Sequence, residues 1–126
     1  MMDELINEVK TLVTKEYERA TQIHGPVNHS SHESYAVLKE ELEEAKDEFI
    51  NSEIYLDRYW KGVKTDDYAS QVENIGLIFN KAILAACECI QTAAMAYKSL
   101  ETIRKNEEIV TKIRQAINNS KEAKGK

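Results

Sequence analysis

Residues Ala82–Tyr97, AILAACECIQTAAMAY, carry a single charged side chain, the carboxylate of Glu88. Without it the stretch reads as the buried part of a helix, rich in alanine and with no glycine or proline to interrupt it. An ionised carboxylate buried without a partner costs on the order of several kcal/mol. Glu88 therefore has to be neutral, pair with a cation or hold a metal ion. Its expected companions are the carboxylates of Glu40 to Glu48 in KEELEEAKDEF, because two acidic helices face each other only with a cation between them.

The rest of the chain fits a helical frame. Its 126 residues suit one domain with a single core, and four glycines and one proline favour helices over a sheet with many turns. The expectation is an all-α, four-helix-bundle-like fold, with residues 1–120 as a single helical domain and 121–126 as a frayed basic tail. No N-terminal segment has the apolar core of a signal peptide, and no run reads as long and apolar enough to span a bilayer. Two cysteines two residues apart, Cys87 and Cys89, point in different directions on a helix and read as small buried thiols. These features suggest a cytoplasmic protein with no membrane partner.

A net charge of −5 argues against general affinity for nucleic acid. The charge is uneven, since from Lys98 onward eight lysines and arginines oppose four glutamates. Such a segment reads first as a solvated helix end, and otherwise as one that attracts phosphate or lies along an acidic helix of its own or a neighbouring subunit.

Leu5, Val9, Leu12, Val13, Ala20 and Ile23 predict a packing helix over about Asp3–Gln22, ended by Gly25-Pro26. Ser30 and Glu33 form a capping-box pattern that starts a second helix. Tyr35, Leu38, Leu42, Ala45 and Phe49 define its expected buried face, with Glu41, Glu44 and Glu48 along one flank and Glu40 and Glu43 nearer solvent. Thr65-Asp66-Asp67 predicts a turn and the cap of a third, central helix. That helix carries an apolar stripe through Val72, Ile75, Phe79, Ala86, Ala93 and Leu100. Its end is expected near Arg104-Lys105-Asn106, with Val110, Ile113 and Ile117 outlining a last helix.

Glu41 and Glu44 are one helical turn apart, as are Glu88 and Gln91, so two oxygen-bearing pairs can face each other. Hard divalent cations such as Mg²⁺ take oxygen ligands of this kind, together with water and phosphate. Glu41, Glu44, Glu88 and Gln91 are thus candidate metal ligands, and Glu40 or Glu48 is placed to orient or deprotonate an attacking water. Lys98, near the face of Gln91, and His29, in the loop before the second helix, are candidate phosphate contacts. Trp60 is a candidate for stacking on a base, although aromatics at helical spacing more commonly serve as core or interface. His24, His29 and His32 lack a recognisable zinc-ligand spacing. There is no Gly-x-Ser-x-Gly and no phosphate-cradling glycine loop.

Glu40-Glu41-Leu42-Glu43-Glu44 resembles the EExxE motif of the MazG-like all-α nucleoside triphosphate pyrophosphohydrolases, and Glu88-Cys89-Ile90-Gln91 stands where that superfamily has ExxD. HGPVNHSSHESYAVLKEELEEA and ECIQTAAMAYK further resemble a branch common in bacteria and phages. The resemblance implies a helical bundle, usually a homo-oligomer (dimer or tetramer). In it, Mg²⁺ bound by both motifs helps cleave a nucleoside triphosphate to monophosphate and pyrophosphate. Carried over by position, the metal ligands are Glu41, Glu44 and Glu88, with Gln91 in the aspartate slot. Gln91 offers an amide oxygen but no charge, which weakens cation affinity. The interval between the motifs is also longer than usual, by all or part of residues 50–70. A non-catalytic nucleotide-binding or nucleotide-sequestering protein is the alternative expectation.

Overall fold

In the computed structural model, which describes residues 1–124, the chain is all-α and consists of three helices: α1 (Met2–His24), α2 (Ser31–Lys64) and α3 (Tyr68–Lys124). Residues 125–126 of the expected tail lie outside the described residues; residues 121–124 belong to α3. Helix α3 continues through Arg104-Lys105-Asn106, so the two helices expected there are one, and a single chain supplies three helices. That segment contains neither glycine nor proline, and charged residues alone do not break a helix.

The local signals for the other boundaries act as expected. Ser30 Oγ accepts a hydrogen bond from Glu33 N at 3.1 Å, while Glu33 Oε2 accepts from His29 N at 3.3 Å, one residue earlier than in the usual reciprocal box. Gly25 closes α1 at φ 86°, a conformation that favours glycine. At the second turn Asp66 sits at φ 52°, a left-handed value that a short polar side chain tolerates, and Asp67 Oδ1 caps α3 by accepting from Ser70 N at 3.1 Å. The backbone crowds Gly62, where a Cβ would meet the Asp67 carbonyl oxygen at 3.3 Å.

Helices α2 and α3 form a long antiparallel hairpin, with Gln71 bonded to Gly62, Lys81 beside Glu48, and Asn28, just before α2, bonded to Thr102. Beyond Thr102, α3 runs on past the start of α2 for about 33 Å at 1.5 Å per residue. Helix α1 lies against α3. Tyr17 fastens it by donating to the Pro26 carbonyl at 2.9 Å and meeting Tyr97 edge to face at 4.7 Å.

What this arrangement buries differs from the expected core. Tyr35, Leu42 and Phe49 are 68%, 58% and 55% exposed, and on α3 Val72, Phe79 and Leu100 are exposed as well. The buried apolar residues among those described are alanines: Ala20, Ala45, Ala85 and Ala94. Helical periodicity shows which residues share a face, but not whether that face meets the same chain. Here the flank carrying Glu41 and Glu48 turns towards α3 together with Ala45 of the expected face, Leu38 is half-buried, and the large side chains Tyr35, Leu42 and Phe49 turn out. Cys87 and Cys89 are exposed too, against their reading as buried thiols. Helix α3 is also long and apolar enough to cross a membrane, by length and composition alone, contrary to the sequence reading.

One polar junction joins all three segments at the base of the hairpin. Thr102 is 1% exposed; its Oγ1 donates to the Lys98 carbonyl at 2.8 Å and accepts from the buried Asn28 N at 2.9 Å, and Asn28 Nδ2 donates to Ser34 Oγ at 2.8 Å. Replacing Thr102 with the isosteric valine strands the Asn28 N–H in a dry site. Thr102→Val should therefore destabilise the fold by about 1–3 kcal/mol in chemical denaturation, whereas Thr111→Val on the exposed extension should change it by less than about 0.5 kcal/mol.

Candidate metal and phosphate site

The antiparallel register of the hairpin sets the inward carboxylates of α2 opposite Glu88. Oxygen atoms of Glu41, Glu44 and Glu88 all lie within 4.8 Å of one another. Small residues make this approach possible, because Ala45 and Ala85 are buried on the same two faces. Glu48 extends the row and contributes to the repulsion at Glu88. Lys81 Nζ is 3.3 Å from Glu48 Oε2 but off the hydrogen-bonding direction, so that oxygen has an ion-pair neighbour and no hydrogen bond. The buried oxygens Glu41 Oε2 and Glu88 Oε2 have no hydrogen-bond partner.

Burial pushes the Glu88 carboxyl up, helped by hydrogen bonding with Glu44 and by repulsion from Glu44 and Glu48. Glu41 is also raised, by burial first and then by the charges of Glu44, Glu88, Glu40 and Glu16. Three converging hard oxygen donors, two with orphaned atoms, fit a divalent cation of the Mg²⁺ class.

Beside the cluster is a cleft of about 450 Å³, walled by α1, the α1–α2 loop, α2 and α3. Glu41 and Gln91 line it on the acidic side. Lys98, His29, His24 and Arg19 line it as well, with Asn28 between elements. Lys98 is only 6% exposed, and no carboxylate lies within ion-pairing distance of it among the described residues. Arg19 is engaged by Glu16, with Nε donating to Glu16 Oε2 at 3.0 Å; this bond lowers the Glu16 carboxyl below its ordinary value.

The structure therefore brings together Glu41, Glu44 and Glu88, with Gln91, Lys98 and His29 around the adjoining cleft. Glu48 lies next to the cluster, whereas Glu40 is exposed on α2. Trp60 is not brought to the site: it is 57% exposed, lies about 28 Å along α2 from Glu41, and has Lys64 Nζ 5.8 Å from its ring centroid. The contribution of α1 was missed in the sequence, where the apolar stripe marks a packing helix. Glu16 and Arg19, one turn apart and of opposite charge, are a local hint of its polar face. No family model, curated protein or solved structure matches the chain.

The raised carboxyls have a measurable consequence. The folded state holds protons that the unfolded chain releases, so this cluster's stabilising contribution is present below the ordinary carboxylate value of 4.5 and is lost as pH rises through the raised values. In chelator, Glu88→Gln should melt close to wild type at pH 4.5 and increasingly above it as the pH is raised to 7.5. A gap that does not vary with pH would show that Glu88 ionises as freely in the fold as in the unfolded chain.

Proposed function

We propose that the chain hydrolyses a nucleoside triphosphate, or a related nucleotide, to the monophosphate and pyrophosphate, with Mg²⁺ held by Glu41, Glu44 and Glu88. The observation that carries this reading is the junction of two opposite environments, a carboxylate cluster with orphaned oxygens and a cleft containing the buried, unpaired Lys98. A cleft of this volume falls within the range of small-ligand sites, about 300–1,000 Å³. A phosphate chain joins the two halves chemically, since its oxygens bind a hard cation on one side and an ammonium on the other.

Each residue then has a task. Glu48, half-buried and adjoining Glu88, accepts the proton of the attacking water, while the exposed Glu40 is the less favoured base. The water oxygen bonds to the α-phosphorus as the bond from that phosphorus to the bridging oxygen breaks, and the electron pair leaves with pyrophosphate. Lys98 holds the departing charge, and His29 adds a donor at the loop. Bound Mg²⁺ supplies charge neutralisation on the phosphate oxygens. Gln91 orients through its amide and adds no charge.

The neutrality of Gln91 specifically favours a second reading, a nucleotide-binding or nucleotide-sequestering protein without efficient turnover. In either reading, a four-helix bundle needs helices from more than one chain, because one chain supplies three.

Purified protein incubated with each NTP and dNTP plus Mg²⁺ should release pyrophosphate, with Glu41→Gln and Glu88→Gln lowering kcat at least about 100-fold and Lys98→Met lowering kcat as well as raising KM. Calorimetric binding of a nucleotide with no pyrophosphate from any of them would favour the binding protein. Neither binding nor turnover by folded protein would overturn both.

A further inference from the structure

The cleft beside the carboxylate cluster has a charged pair on α1 that the proposed reaction leaves without a task. Glu16 and Arg19 both line the cleft. Tyr17, fastened to Pro26 and Tyr97, and the buried Ala20 fix which face of α1 turns inward, and Glu16 and Arg19 stand beside that anchor. Arg19 is held by a single partner: its Nε donates to Glu16 Oε2 and its Nη2 to Glu16 Oε1. Its Nη1 makes no hydrogen bond among the described residues.

Position separates this pair from an ordinary surface one. The charge of Glu16 is felt at Glu41, so the pair stands at the acidic end of the cleft, where the phosphates of a metal-bound nucleotide have to lie. The Glu16 side chain is 20% exposed and that of Arg19 58%, which makes the carboxylate the inner member and the guanidinium the outer one, at the cleft rim.

Charge balance gives the guanidinium a use. Glu16, Glu33 and Glu41 line the cleft against Arg19 and Lys98. A triphosphate chain carries more negative charge than one divalent cation and one ammonium offset. An ion pair one helical turn apart and open to water is held weakly, whereas phosphate oxygens offer a guanidinium the same two-point hydrogen bonding with more charge.

We infer that Arg19 is the second phosphate-binding cation of the cleft and that Glu16 competes with the nucleotide for it. As the phosphate chain enters, Arg19 exchanges the Glu16 carboxylate for phosphate oxygens. The inference rests on the nucleotide reading of the cleft, whether or not turnover follows. In the empty cleft Glu16 keeps the guanidinium at the rim and masks its charge. Exchange favours only a ligand with more charge than the carboxylate it displaces, which sets a phosphate chain apart from a singly charged anion such as acetate.

Titration calorimetry of the full chain with tripolyphosphate and Mg²⁺ tests the exchange. Glu16→Gln should tighten binding by about threefold or more, and Arg19→Gln should weaken it by about tenfold or more. In the Glu16→Gln background, Arg19→Gln should still weaken binding by about tenfold, because the guanidinium touches the ligand. Loss of that effect once Glu16 is neutral would mean that Arg19 only offsets the carboxylate, and would overturn the inference. Glu16→Gln leaving binding unchanged, or weakening it, would do the same. Glutamine is a good helix former, so these variants retain α1. Failure of the nucleotide reading looks different: the wild-type chain would bind neither tripolyphosphate nor any NTP, and both would fall.

Discussion

Glu41, Glu44 and Glu88 are held with their oxygens within 4.8 Å of one another between two helices of one hairpin, and the packing of the chain follows from accommodating them. Carboxylates this close repel, and burial adds to the cost of keeping them charged. One nearby cation, Lys81, is directed to Glu48, and another, Arg19, is taken by Glu16. The hairpin interior is consequently polar and built from small residues, with Ala45 and Ala85 allowing the approach and Thr102, Asn28 and Ser34 satisfying one another at its base.

That polar interior forces the large apolar side chains outward. A helix covered by neighbours on two sides can hide both a polar and an apolar stripe, but among the described residues α2 has only α3 beside it, and the face turned to α3 is the one with the glutamates. Tyr35, Leu42 and Phe49 are left in solvent as a direct geometric result. The carboxylate cluster and the exposed stripe are therefore two sides of one arrangement.

Much of this is legible in the sequence, because it depends on contacts a few residues apart. The Ser30–Glu33 cap, the glycine stop at Gly25 and the Thr65-Asp66-Asp67 turn are set by local backbone chemistry. Glu88 was conspicuous because a charge in an uncharged stretch is rare, and its grouping with Glu41 and Glu44 followed from one-turn spacing. The orientation of the stripes was not legible, since a seven-residue repeat is identical whether its partner is another part of the chain or a separate molecule. The continuity of α3 past Asn106 was hidden by charges that resemble a boundary without breaking the backbone. Glu16 and Asn28 enter the site through tertiary placement, which no local pattern encodes.

Holding like charges together takes a scaffold that resists their separation. Buried alanines, hydrogen bonds at both ends of the hairpin and the Lys81–Glu48 pair hold it against the repulsion among three glutamates. Neutralising the cluster, by protonation or by a cation, removes the force that drives the helices apart.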